Sequence, residues 1–278
     1  MHLPTPASSA RRAALVLLVA LGGLAALPRP AGAEPLAPRD LVGLDLNLQI
    51  ETAEGPAAGS YPNQGAIVRH ILPHGQWTST GAGGPNHRDS RGVSEWRRAP
   101  DDTLVEIASD ATGQPAASTF RYRFETPCRG HWTWQIDHGQ ATLGGSFTTA
   151  PSAPTTRQQL APATNAGLYI PLVIKSAVAP SLPAGSYPAA GLVLQAYAGD
   201  GTLTLQGFGP GTLNSHGTYT FKRLSANTAV EETLQISDAF ALPYTMVYTF
   251  ETPSSGVWYQ NFANGLIRFS GTFDTFPR

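Results

Sequence analysis

Phe124-Glu125-Thr126-Pro127 returns as Phe250-Glu251-Thr252-Pro253, an offset of 126 residues (250 − 124). At that offset Tyr122 matches Tyr248, Gly130 matches Gly256 and Trp132 matches Trp258. Gly139 matches Gly265, Gly145 matches Gly271 and Phe147 matches Phe273. Upstream, Ser60-Tyr61-Pro62 returns as Ser186-Tyr187-Pro188. A fixed self-similarity of this kind divides a chain into copies of one structural unit. It also separates what both copies keep from what one copy has acquired.

The stretch around the repeat reads as strand. Phe120, Tyr122 and Phe124 alternate with Arg121 and Arg123, so one face is aromatic and the other basic. The copy, Met246-Val247-Tyr248-Thr249-Phe250, keeps the aromatic face and loses both arginines. The kept face is therefore the expected core, and the variable face points outward or into a lumen. Farther along, Ala263-Asn264-Gly265-Leu266 suggests a two-residue hairpin turn at Asn-Gly, with His138-Gly139 at the same place in the first copy. Val105-Glu106-Ile107-Ala108-Ser109-Asp110 aligns with Leu234-Gln235-Ile236-Ser237-Asp238, which suggests a β-bulge at the extra Ala108. Eight short strands per unit are expected, centred in the first near Leu46, Val68, Trp77, Val93, Val105, Tyr122, Thr133 and Leu143. The fold class expected is all-β: two tandem antiparallel meanders closing as barrels or barrel-like sandwiches. The units are placed at 36–150 and 160–276, joined by a Pro/Ser/Thr-rich linker at 151–159.

The N-terminus carries a different signal. Arg11 and Arg12 precede an apolar run from Ala13 to Leu27, followed by the small residues Ala31-Gly32-Ala33. This pattern describes a secretory signal peptide over 1–33, cut after Ala33. The run is shorter than the roughly 20 apolar residues that span a bilayer. The expectation is a secreted, periplasmic or cell-surface protein with no transmembrane segment after cleavage. Without the arginines of the leader, acidic side chains outnumber basic ones, which argues against a nucleic-acid partner. Cys128 is the single cysteine, so no intrachain disulfide can form.

The rhythm of Gly217-Thr218-Tyr219-Thr220-Phe221, Asn227-Thr228, Tyr248-Thr249-Phe250 with Pro253, Gly256 and Trp258, and finally Gly271-Thr272-Phe273 resembles the lipocalin-like (calycin) barrels found in tandem in exported bacterial proteins of uncharacterised function. The resemblance implies a fold and export, and it assigns no catalytic residue.

The two units differ in the residues that bear chemistry. The first has His70, His74, His87, His131 and His138, and the second only His216. Trp77, Trp96, Trp132 and Trp134 are in the first, against Trp258 in the second. Trp134 aligns with Gln260 and Trp77 has no partner, so these two rings are candidates for ligand contact. With His70, His131, Arg121 and Arg123 they form the candidate binding set. No metal site and no cofactor are expected, because neither ligand spacing nor a phosphate-binding loop is present. Glu125 and Glu251 occur in both copies and read as turn residues. The reading is a non-enzymatic exported protein that binds a small apolar molecule, a glycan or a protein partner through its first unit. A hydrolase or lyase using His70, His131 and Glu125 is a second reading, and a structural or adhesion component of the cell surface a third.

Overall fold

The computed structural model describes residues 35–111, 118–152 and 159–278. The expected signal peptide and most of the expected linker lie outside the described residues. Of the described residues 61% are strand and 4% helix. The first sheet comprises β1 (Leu44–Gln49), β2 (Thr52–Glu54), β3 (Ala66–Ile71), β4 (Gln76–Ala82), β5 (Ser90–Ala99), β6 (Thr103–Asp110), β7 (Ser118–Thr126), β8 (Arg129–Ile136) and β9 (Ala141–Pro151). The second comprises β10 (Leu168–Val178), β11 (Gly191–Tyr197), β12 (Thr202–Phe208), β13 (Ser215–Arg223), β14 (Thr228–Ile236), β15 (Ala241–Thr252), β16 (Ser255–Phe262), β17 (Ile267–Asp274) and β18 (Phe276–Pro277).

Each sheet is an antiparallel meander that closes on itself. β1 pairs with both β3 and β9, and β10 with both β11 and β17. The result is two eight-stranded barrels, with β2 and β18 as short additions to β9 and β10. Closure removes the exposed sheet edges that a meander would otherwise present. All eight strand centres expected for the first unit fall inside barrel strands.

Most of the residues kept by both copies form one packing unit at one end of each barrel. Gly130 stands between Phe124 and Phe147 on the neighbouring strands, and these two rings meet edge to face over it at 5.0 Å. Gly256 stands in the same way between Phe250 and Phe273, whose rings meet at 4.9 Å. Tyr122 and Tyr248 add a second edge contact to Phe147 and Phe273. Glycine is required because a Cβ on Gly130 or Gly256 would lie 1.9 or 2.1 Å from a carbonyl oxygen of the adjacent strand. One turn deeper, Trp132 faces Gly145 and Trp258 faces Gly271 across the last hairpin. An aromatic ring covering a strand glycine restores packing that the missing side chain gives up. At the same level the first strand of each barrel bends. β1 breaks before β2 opposite Gly145, and β10 carries a register shift between Ile174 and Ser176 beside Gly271.

Three sequence expectations are corrected. The strand β6 keeps a continuous register with both neighbours through Ala108, so no bulge lies there. Cross-strand partners instead equate Leu104, opposite Tyr122, with Ala229, opposite Tyr248. That places Glu106 with Glu231, two fully buried carboxylates, and not with Gln235. The shared bulge lies at Glu125 and Glu251, between Phe124 and Thr126 and between Phe250 and Thr252. The last hairpin turns through four residues in each copy, since Ile136 pairs with Ala141 and Phe262 with Ile267. Three successive positive φ angles occur in each loop, at Asp137, His138 and Gly139 and at Ala263, Asn264 and Gly265. A two-residue turn has room for only two such residues.

The barrels touch through a small apolar patch of Ala66, Val230 and Val247. It is flanked by hydrogen bonds from Asn47 to Asn227 (2.8 Å), from Gln64 to Thr245 (3.2 Å) and from Arg268 to the Glu51 carbonyl (2.7 Å). Substituting Gly145 or Gly271 by alanine would place a Cβ 2.0 or 1.8 Å from the carbonyl oxygen of Gln49 or Val173. Each change is expected to lower stability by about 1–3 kcal/mol or more, as overpacking does. Urea unfolding of the single variants, set beside the open position Gly199→Ala as a control, measures this.

Candidate functional site

The inward alternation of β3 places Ile67, Arg69 and Ile71 inside the first barrel. Arg69 is 3% exposed, and its guanidinium pairs with Glu106, which is 0% exposed. Glu106 also accepts hydrogen bonds from the Ser94 hydroxyl and from the Tyr122 hydroxyl (2.7 Å). Burying two ions is expensive, and it is tolerated only where geometry and further hydrogen bonds are good. Here the guanidinium is also sandwiched between rings, 4.1 Å from the centre of Trp77 and 4.3 Å from that of Phe120. Phe120 stacks on Trp134 at 4.9 Å, and Tyr61 meets Trp134 edge-on at 6.1 Å. Burial and the adjoining carboxylate push the Tyr122 hydroxyl well above its ordinary pKa, so it acts as a donor.

Above this stack, at the barrel end opposite the phenylalanine pair, is a cavity of about 100 Å³. Tyr61, Arg69, Trp77, His87, Phe120 and Trp134 contribute to its wall. The loop after β4 folds across the mouth. Its Asn86 donates to the Gly59 carbonyl (3.0 Å), and a ring nitrogen of His87 lies 2.8 Å from the Gln64 carbonyl. Burial lowers the His87 pKa, so the ring is neutral and donates through Nε2. Gly81 leaves the space for that ring, since a Cβ there would lie 2.3 Å from Nδ1. Arg69 Nε, Trp77 Nε1 and Trp134 Nε1 are buried without a hydrogen-bond partner. All three are donors, and leaving a buried donor unpaired costs about 1–3 kcal/mol each.

The second barrel has the same floor with different chemistry. Cross-strand partners equate Arg69 with Gln195, Trp77 with Leu203, Ser79 with Leu205 and Trp134 with Gln260. Among the described residues no cation pairs with Glu231. Its carboxylate accepts from Tyr244 (2.9 Å), Thr233 (2.8 Å) and Asn165 (3.1 Å), with the Tyr197 (2.5 Å) and Tyr248 (3.1 Å) hydroxyls also in reach and shared with Gln195. Burial still dominates and raises its pKa above the usual carboxylate range.

Of the six binding candidates, the structure brings two together. Trp77 and Trp134 line the cavity. His70 faces outward from β3 and hydrogen-bonds Asp45 at 2.7 Å. Arg121, Arg123 and His131 lie on the exposed outer face of β7 and β8, where His131 stands 3.3 Å from Glu125. Cys128 is exposed beside Thr126. Among the described residues, no group of three or more His, Cys, Asp or Glu side chains could hold a metal ion, and no helix is long and apolar enough to cross a membrane. Sequence reading passed over Arg69, Glu106, His87 and Glu231. A signal for Arg69 was present, since it shares the face of Ile67 and Ile71.

The molecule is thus a pair of closed β-barrels, each with a buried carboxylate at mid-height and a cavity above it. No protein-family model matches the chain, and no curated protein matches it. Among solved structures, it is similar to a protein of unknown function from the DUF3598 family of Nostoc punctiforme. That similarity is 10% in identity, over 85% of this chain and 96% of that one, with a TM-score of 0.28.

The two carboxylates predict different responses to mutation. Arg69→Met leaves Glu106 charged without its cation, and is expected to cost about 3–5 kcal/mol, whereas Arg69→Met with Glu106→Gln recovers most of it. Chemical unfolding of the single and double variants gives the comparison. For Glu231, the folded state binds a proton more tightly than the unfolded chain does. Its contribution is therefore complete below the ordinary carboxylate pKa and is lost as pH rises through the elevated folded value. Glu231→Gln is expected to flatten that decline in a series of unfolding curves taken from acid to neutral pH. For His70, the Asp45 hydrogen bond raises the pKa. The stability it adds is present below the ordinary histidine value and fades as pH rises through the raised one, and His70→Asn removes that dependence.

Proposed function

We propose that this is an exported, lipocalin-like tandem-barrel protein whose first barrel binds a small molecule with a flat apolar body and an anionic, hydrogen-bond-accepting head. The observation that carries the reading is a cavity walled by aromatic rings around a buried guanidinium, on whose lining residues Arg69 Nε, Trp77 Nε1, Trp134 Nε1 and His87 Nδ1 are buried without a hydrogen-bond partner. An acceptor-rich head would satisfy donors that otherwise stay desolvated and unpaired. The stacked rings of Phe120 and Trp134, with the edge of Tyr61, supply a surface for a planar body. Pockets that are mainly apolar with a few convergent polar groups are the usual form of small-molecule sites. Export rests on the leader: Arg11-Arg12, the apolar run and the small residues up to Ala33.

Binding is favoured over hydrolysis or elimination by the placement of the ionisable groups. His70, His131 and Glu125 face the outside of the barrel, and Glu106 is committed to Arg69, Ser94 and Tyr122. The test uses benzoate as probe, followed by tryptophan emission. Benzoate is expected to quench the wild-type protein saturably. The paired variant Arg69→Met/Glu106→Gln should bind about ten-fold or more weakly, the loss of one charge-assisted hydrogen bond. Ile67→Trp, which fills the cavity wall, should abolish the response. Equal affinity in all three proteins would exclude the first barrel as the site.

A further inference from the structure

We infer that the second barrel holds a ligand site of its own, selective for uncharged, mainly apolar molecules about the size of one aromatic ring. A cavity of about 160 Å³ occupies the same end of this barrel as the first cavity does in its own. Its rim is Ser186-Tyr187-Pro188, the copy of the Ser60-Tyr61-Pro62 rim of the first. Val193, Leu205, Phe240, Phe262, Ile267 and Phe269 form its apolar wall. The extra room has a local cause: Gln260 stands where the first barrel has the indole of Trp134. An apolar cavity of roughly 150 Å³ stays dry and accepts a benzene-sized guest.

The selectivity follows from the polar groups. Among the described residues no charged side chain lines this cavity, whereas Arg69, Arg88 and Asp110 line the first. Gln195, the counterpart of Arg69, is fully buried with both ends of its amide engaged. Its Nε2 donates to Tyr244 (3.0 Å), and its Oε1 accepts from one of the Tyr197 (2.5 Å) and Tyr248 (3.1 Å) hydroxyls, the other donating to Glu231. Those hydroxyls belong to the cluster around Glu231, so the floor is saturated internally. Gln235 donates to Ser215 (2.8 Å). The Gln260 amide, inward on β16, is free to meet one polar group of a guest. An anion would enter with no counter-ion and lose its hydration, a cost that an uncharged molecule of the same shape avoids. The exchange of Arg69 for Gln195 thus divides the two barrels into an anion-accepting and an anion-rejecting site.

The experiment uses the full chain and two fluorinated probes of nearly equal shape, 4-fluorotoluene and 4-fluorobenzoate, followed by ¹⁹F NMR and by the methyl signals of Val193, Leu205 and Ile267. The expected result is that 4-fluorotoluene saturates, shifts those methyls and loses at least ten-fold in affinity in Leu205→Trp, while Ile67→Trp leaves it bound. The benzoate should leave the three methyls unmoved at any concentration. The inference is overturned if 4-fluorotoluene fails to perturb these methyls in the wild-type protein, or if 4-fluorobenzoate perturbs them equally. The wild-type methyl shifts decide the matter even if Leu205→Trp does not fold. They are also independent of the first barrel, so failure there and failure here give different spectra.

Discussion

A carboxylate at the middle of each barrel, sealed from water, is the constraint around which the rest is arranged. Removing a carboxylate from water without compensation costs far more than a small domain can supply. Every buried acid must therefore be met by a cation, by several donors, or by a proton. The first barrel uses a cation: Arg69 meets Glu106, and the aromatic sandwich of Trp77 and Phe120 fixes the guanidinium in place. The second uses donors, with three tyrosines, a threonine and an asparagine converging on Glu231. Each solution dictates what stands above it. An arginine with one nitrogen left over makes a polar cavity floor, and a closed ring of hydroxyls and an amide makes an inert one.

The lower half of each barrel explains why so much of the sequence repeats. Phe124, Gly130, Phe147 and their copies Phe250, Gly256, Phe273 are a single object, two rings meeting over a glycine. None of these can change alone. A larger residue at the glycine strikes a carbonyl of the next strand, and a smaller one at either phenylalanine leaves a void beneath the carboxylate. The tyrosine of each copy joins this plug to the acid, since its ring packs on the lower phenylalanine and its hydroxyl donates upward. The conserved spacing of the two copies is therefore the spacing of a barrel base, which is why it carries fold and no chemistry.

The same physics separates what could be read in the sequence from what could not. Alternation of aromatic and polar residues at 119–124 defines a strand whatever its neighbours are, and the internal repeat fixes the number of barrels. Tertiary pairing is needed for the acids. Glu231 and Glu232 are adjacent in a strand, and nothing local says which faces inward or that either can be buried. An alignment by residue type matched Glu106 to Gln235, because charge and amide look alike when their surroundings are unknown. Cross-strand partners place Glu106 with Glu231 instead. Arg69 was overlooked for a related reason. An arginine in a strand usually marks the solvent face, and its neighbour His70 drew the chemical interest although it is the outward one. Trp77 and Trp134 were legible because a ring present in only one of two copies needs an explanation that a shared core does not supply.

The divergence between the barrels has to have involved groups of residues together. Replacing Arg69 by glutamine in the first barrel would strand Glu106 with only the Ser94 and Tyr122 hydroxyls, too few donors for a dry carboxylate. In the second, Ile71 and Ser118 of the first are replaced by Tyr197 and Tyr244, and these supply the missing donors. Placing an arginine at Gln195 would add a guanidinium to a floor whose carboxylate already has tyrosine, threonine and asparagine donors, and would remove the amide contacts to Tyr197, Tyr244 and Tyr248. The electrostatics of each floor is thus locked by at least four side chains on three or more strands, and intermediate combinations leave a buried charge or donor unmatched. An outer-face residue such as Arg121, whose copy is Val247 in the patch between barrels, carries no such linkage and could change singly. That asymmetry accounts for the pattern of the chain: interiors that differ in blocks, outer faces that differ residue by residue, and a glycine-and-aromatic base that recurs in both copies.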